Sequence, residues 1–136
     1  MSHNRAPKPG SKWYLPYDTY RLAVDFCYAY HDFERKLEDL DGMHSHEQDG
    51  MPRGTDMGNP TEREAMKRME IQKKLDIIRD AIIDTDPFYY DWLLEGVTHR
   101  HITYSYLKAK KGIPCDKDKY SDLRRQVYWR VAERIM

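Results

Sequence analysis

Between Thr98 and Met136 the chain carries ten Lys and Arg residues against four Asp and Glu, and residues 1 to 97 hold the other thirteen basic and nineteen acidic ones. A formal net charge of zero therefore hides about −6 followed by about +6. Ammonium and guanidinium groups gathered in this way can neutralise the phosphates of a polyanion, and arginine can also pair with guanine edges in a major groove. Phosphate recognition is the chemistry this chain offers first.

Other chemistries find less support. His44 and His46 stand near Glu47 and Asp49, and His99 and His101 form a second close pair. A stable metal site needs three or four ligands in rigid geometry, so neither pair is expected to hold a metal. His99 and His101 flank the basic segment, where protonation would add attraction for phosphate. The two cysteines, Cys27 and Cys115, are too few for a disulfide framework and suit a reducing, cytoplasmic setting. There is no glycine-rich phosphate loop, no nucleophile elbow and no Cys–His pairing at readable spacing. The carboxylates are scattered, so no acid–base pair can be picked out. No catalytic residues, cofactor or enzyme activity are expected. No signal peptide is readable at the start of the sequence, and no run of about 18 apolar residues that could span a membrane occurs.

The elements that would position the basic segment are helical throughout. Residues 1 to 12, with Pro7, Pro9 and Gly10, read as a mobile leader. From Tyr17 to Leu40 one helix is predicted, with Ala23, Phe26, Tyr30, Phe33, Leu37 and Leu40 at spacings of three and four. That seam fits packing within the chain and equally fits dimerisation on a second copy. Asp41 to Gly58 reads as a glycine-rich loop. Asn59, Pro60 and Glu62 then resemble an N-cap, a first-turn proline and a capping-box acid, opening a helix to about Ile83 with Ile71, Leu75, Ile78 and Ile82 as its apolar face. Two long helices joined by one loop predict an antiparallel hairpin over residues 17 to 84.

A second cap and proline, Asp86 and Pro87, open a short apolar helix from Phe88 to Leu94, with Gly96 as its stop. It would brace the hairpin against the C-terminal segment. The aromatic start of the first helix, Trp13 with tyrosines 14, 17, 20, 28 and 30, is expected to pack on that brace rather than form an exposed partner patch. The fold class is thus all-α: a long helical hairpin over 13 to 97 with its brace, which also holds the dimerisation seam, and a helix-turn-helix-like module over 98 to 136.

The module has the parts that such a unit requires. Thr103 caps a supporting helix from about Tyr104 to Lys111, Gly112 ends it, and Ile113 and Pro114 connect to a final helix that begins at Asp116. Tyr120, Leu123, Val127, Val131 and Ile135 form the inward face of that helix. The predicted DNA-contacting residues are Tyr104, Lys108, Lys110 and Lys111 on the supporting helix and Lys117, Lys119, Ser121, Arg124 and Arg125 on the final one. Asp116, Asp118 and Asp122 lie among them, and the connector is about two residues longer than the tight repressor-type turn.

The stretch GMPRGTDMGNPTEREAMKR at residues 50 to 68, followed by WLLEGVTHRHITYSYLKAKKGIPCDKDKYSDLRRQVYWRVAERI at 92 to 135, resembles the small phage and prophage regulators of Gram-positive bacteria related to RinA and ArpU. The Asn-Pro-Thr-Glu helix start at 59 to 62 and the Thr-Tyr-x-Tyr-Leu-Lys segment running to Gly-Ile-Pro-Cys at 103 to 115 carry the resemblance. It implies a C-terminal module similar to region 4 of sigma factors and late-gene activation through double-stranded promoter DNA bound by residues 116 to 130. Contact with host RNA polymerase is implied as well. Two other readings stay open. One is a phage protein that binds and redirects a host protein; the other is a packaging component resembling a small terminase subunit.

Overall fold

A computed structural model describes residues 6 to 47 and 61 to 136, with side chains from 6 to 41 and from 61 onward. The described residues form helices α1 (Tyr17–Tyr28), α2 (Tyr30–Glu47), α3 (Glu62–Thr85), α4 (Tyr90–Thr98), α5 (Tyr104–Lys111) and α6 (Lys117–Ile135), with a 3-10 turn at Pro87–Tyr89 and no strand. The all-α class read from the sequence is therefore the observed one. The chain divides into two compact units, Tyr30–Asp76 and a second made of Met1–Ala29 with Ile77–Met136.

The unit Tyr30–Asp76 contains α2 and the first half of α3. Lys74 lies over the Phe33 ring at 5.4 Å, and Arg68 pairs with Asp41. The early residue of α2 thus meets the late one of α3 and the reverse, so the two helices run antiparallel as the hairpin predicts. Ile71 and Leu75 are buried, as is Leu40. The N-terminus of α3 is a capping box, but two residues later than the predicted one. The Glu64 amide donates to Thr61 Oγ1 at 3.1 Å, and Glu64 Oε1 accepts from the Thr61 amide at 3.0 Å. A threonine at N-cap and a glutamate three residues on satisfy each other's orphan amides. The predicted cap residues Asn59 and Pro60 lie outside the described residues, as do the side chains of His44, His46, Glu47 and Asp49.

The predicted Tyr17 to Leu40 helix is instead two helices, broken at Ala29, whose amide donates to both Asp25 and Phe26 carbonyls. The break divides the heptad seam between the units. Ala23, Tyr30 and Leu40 are buried by the chain itself, and Phe26, Phe33 and Leu37 are half-buried. Helix α2 also continues to Glu47, into the segment predicted as loop.

In the other unit α6 is central. Tyr120, Leu123, Val127 and Val131 are buried as their spacing predicts, but so are Arg124, Tyr128 and Ala132, one position further round. Two adjacent stripes bury about half the circumference, because α6 packs against both α1 and α4. Tyr20 of α1 meets Tyr128 edge-on at 5.6 Å, and Trp13 meets Trp129 edge-on at 5.3 Å. Trp13 and Tyr20 are therefore seated on α6 rather than on the Phe88 to Leu94 segment, while Tyr14 and Tyr17 are exposed. An edge-to-face pair adds about 0.5–1.5 kcal/mol beyond the area it buries. Within the leader Pro7 is buried and the Ser11 amide donates to the Lys8 carbonyl at 3.1 Å, with residues 8 to 12 exposed, and Leu15 just beyond it is buried.

The brace begins as expected, with the Asp86 carboxylate accepting from the Phe88 amide at 3.0 Å and Pro87 in the first turn. Its end is different. Gly96 does not stop the helix but lies buried within α4, which runs on to Thr98. A Cβ built there would lie within the van der Waals envelope of the Tyr120 hydroxyl and 3.1 Å from its Cζ. Glycine is required because α6 approaches α4 through that ring. Gly96→Ala should therefore lower stability by about 1–3 kcal/mol despite alanine's better helix propensity, since overpacking outweighs that gain. A urea unfolding midpoint at or above that of the wild type would contradict this close approach.

Candidate nucleic-acid interface

The predicted site residues are positioned by a connector fixed at both ends. Thr103 Oγ1 accepts from the Tyr106 amide at 3.2 Å and opens α5, satisfying one of its orphan donors. Gly112 closes α5 in the left-handed region, with φ of 66°, and Ile113 turns inward to full burial while its amide donates to the Leu107 carbonyl at 3.2 Å. A residue with a Cβ is strained at that φ, so glycine suits the turn. The Asp116 carboxylate accepts from the Lys119 amide at 2.8 Å and opens α6. The aspartate that complicated the charge reading is thus a helix cap.

Side chains hold the connector from both sides. Trp92 Nε1 donates to the Lys111 carbonyl at 2.8 Å, closing an acceptor at the end of α5 that has no partner within the helix. The Tyr104 hydroxyl donates to the Cys115 carbonyl, and Lys108 Nζ donates to the Ile113 carbonyl at 3.4 Å. The Cys115 side chain itself is half-buried. Burial is the first cause holding that thiol above its usual range, followed by the Asp116 carboxylate. Tyr104 and Lys108, both predicted to contact DNA, are thereby tied to the connector.

The basic residues separate into two classes. The arginines are largely engaged within the unit, although Arg100 and Arg134 stay exposed: Arg100 lies over the Tyr28 ring at 4.5 Å, and Arg134 pairs with Asp84. Arg130 donates to Thr85 Oγ1 at 3.2 Å and lies over the Trp13 ring at 5.7 Å. Arg124, expected on the outward face, is only 8% exposed, with its guanidinium 5.2 Å from the Tyr120 ring centre. The lysines, in contrast, face solvent. Lys110 and Lys111 in the last turn of α5 and Lys117 and Lys119 in the first turns of α6 are all exposed. Ser121 and Arg125 are half-buried beside them, and Asp118 and Asp122 are exposed there too, Asp122 accepting from Gln126 at 2.8 Å. Lysines in a last helical turn also favour the helix dipole, as Asp118 does in a first turn.

Neighbouring arginines should consequently separate in experiment. Arg124→Ala removes a buried stem and a desolvated cation–π contact and should cost about 2 kcal/mol of stability. Arg125→Ala should change stability by less than about 0.5 kcal/mol, as surface substitutions do. Thermal unfolding of the two single variants checks the assignment, and equal losses would contradict it.

Sequence reasoning missed Trp92 as the group that closes α5, because a tryptophan in an apolar run carries no sign of a hydrogen bond 19 residues away. Among the described residues no group of three or more His, Cys, Asp or Glu side chains is placed to hold a metal. His99 Nδ1 faces the Glu95 carbonyl at 3.0 Å, and His101 is exposed. No helix of the described residues is long and apolar enough to cross a membrane. Fold and surface together define an all-α protein with a lysine face around one helix–helix connector. No family model matches the chain, and neither a curated protein nor a solved structure does.

Proposed function

We propose that the chain binds double-stranded DNA through the lysine face of α5 and α6 and acts as a transcription regulator of the phage type that its sequence resembles. The observation that carries this reading is the division of the basic residues. Lys110, Lys111, Lys117 and Lys119 are exposed on either side of one connector, while Arg100, Arg124, Arg130 and Arg134 lie on partners within the chain. Lysine is a compact point charge suited to phosphate oxygens. These side chains would anchor α6 on the DNA backbone, with Ser121 and Arg125 on its outward side left to meet base edges. Contact with RNA polymerase and binding as a homodimer belong to the same proposal.

The test is binding of the whole chain to labelled phage promoter duplex and to a scrambled duplex across a salt series. A specific regulator should prefer its promoter by about 10³-fold or more and lose affinity steeply with salt. Equal, weak binding to both duplexes would remove sequence-specific regulation, and no binding at moderate salt would remove the DNA reading altogether.

A further inference from the structure

Beside the lysine face stands an aromatic cluster that duplex binding leaves unused. The Phe88 and Tyr89 rings meet edge-on at 4.9 Å, Phe88 and Trp92 lie 5.9 Å apart, and Tyr89 and Trp92 lie 5.8 Å apart. The cluster reaches the connector through Trp92, whose Nε1 donates to the Lys111 carbonyl at 2.8 Å. Tyr89 and Trp92 are half-buried, but Phe88 is 67% exposed. The sequence predicts Phe88 as part of the apolar brace. Its cap on Asp86 and the proline before it instead hold the ring outward from the 3-10 turn. An exposed ring backed by two others, one of them bonded to the Lys111 backbone at the lysine-rich end of α5, combines the two parts by which proteins hold unpaired nucleotides. Those parts are a flat apolar surface for a base and cations for its phosphates.

We propose that Phe88, supported by Tyr89 and Trp92, is a stacking platform for an unpaired DNA base, so that this face grips opened DNA in preference to closed duplex. Charge complementarity selects the occupant: a base arrives with phosphates attached, and the exposed Lys110 and Lys111 stand at the end of α5 to which Trp92 is bonded. Asp86 and Asp116 each accept from a backbone amide at the start of a helical segment, and Asp91, exposed in the first turn of α4, is the carboxylate that the lysines must outweigh. The inference rests on the DNA-binding reading and deepens it.

The test compares the full chain on a short labelled duplex and on the same duplex with an internal unpaired bubble, by fluorescence anisotropy. Wild type should bind the bubble about tenfold more tightly, within the range of one base–aromatic stack. Phe88→Ala should abolish that preference with duplex affinity and helicity unchanged, and Phe88→Tyr, which keeps a ring, should retain it. Equal binding of bubble and duplex by wild type would overturn the platform while leaving duplex binding intact, as would a preference that survives Phe88→Ala. Binding of the bubble alone would keep the platform and overturn the duplex reading, and binding of neither would overturn both.

Discussion

Glutamine at Lys110, Lys111, Lys117 and Lys119 together is expected to weaken duplex binding by about 10³-fold near physiological salt and to flatten the salt dependence by about 3 to 4 in log–log slope. Each ammonium that neutralises a phosphate releases a condensed counterion, so the slope counts contacts where affinity alone does not. The four positions are exposed and lie in the end turns of α5 and α6, so the substitution should leave the fold unchanged. Lys108 is left in place because its ammonium donates to the Ile113 carbonyl and removing it would confound the result. A quadruple variant with the wild-type slope would show that DNA, if bound, is bound elsewhere.

Alkaline unfolding should be as marked. Burial is the main cause pushing the Tyr20 hydroxyl up to about 12 from its ordinary value of 10.0, against an opposing effect of the nearby Arg124 charge. Burial likewise raises Tyr120 and holds Tyr128 well above its usual range. The Cys27 thiol, fully buried in α1, is raised by burial as well. A group held protonated by the fold keeps its proton while the unfolded chain loses it. Stability is therefore complete below about pH 9, where the unfolded cysteine begins to titrate, and falls further above about pH 10, as unfolded tyrosine loses its proton and pH climbs towards 12. Tyr20 alone should account for a loss of about 3 kcal/mol over that interval, and the other buried groups add to it. Denaturant midpoints measured from neutral pH upward check this, and a midpoint constant to pH 12 would contradict the buried tyrosine cluster. Tyr20→Phe should reduce the slope of the fall.

The parts of this architecture that depend on local chemistry were readable in the chain. Thr103, Gly112 and Asp116 declare their helix ends because a hydroxyl, a missing Cβ and a carboxylate each satisfy a backbone requirement on the spot. The inward stripe of α6 from Tyr120 to Val131 declares itself by spacing. What was hidden depends on partners distant in sequence. Gly96 looked like a helix stop because its reason is the Tyr120 ring, 24 residues later. Arg124 looked like an outward contact because its spacing does not reveal that α1 and α4 both cover α6. The break at Ala29 has no local signal, since alanine is the strongest helix former. For the candidate site the lysines were legible as charge, but their separation from the arginines was not. Both types appear as positive charge in a sequence, and only packing decides which find partners within the chain.

The most direct test of the central claim is a lysine-reactivity footprint of the full chain, read by mass spectrometry with and without bound promoter duplex. DNA should protect Lys110, Lys111, Lys117 and Lys119 and leave the exposed Lys67 and Lys73 of α3 fully reactive. Protection centred on α3, or no change at the four α5 and α6 positions under saturating duplex, would contradict the assignment of this face as the DNA-binding surface.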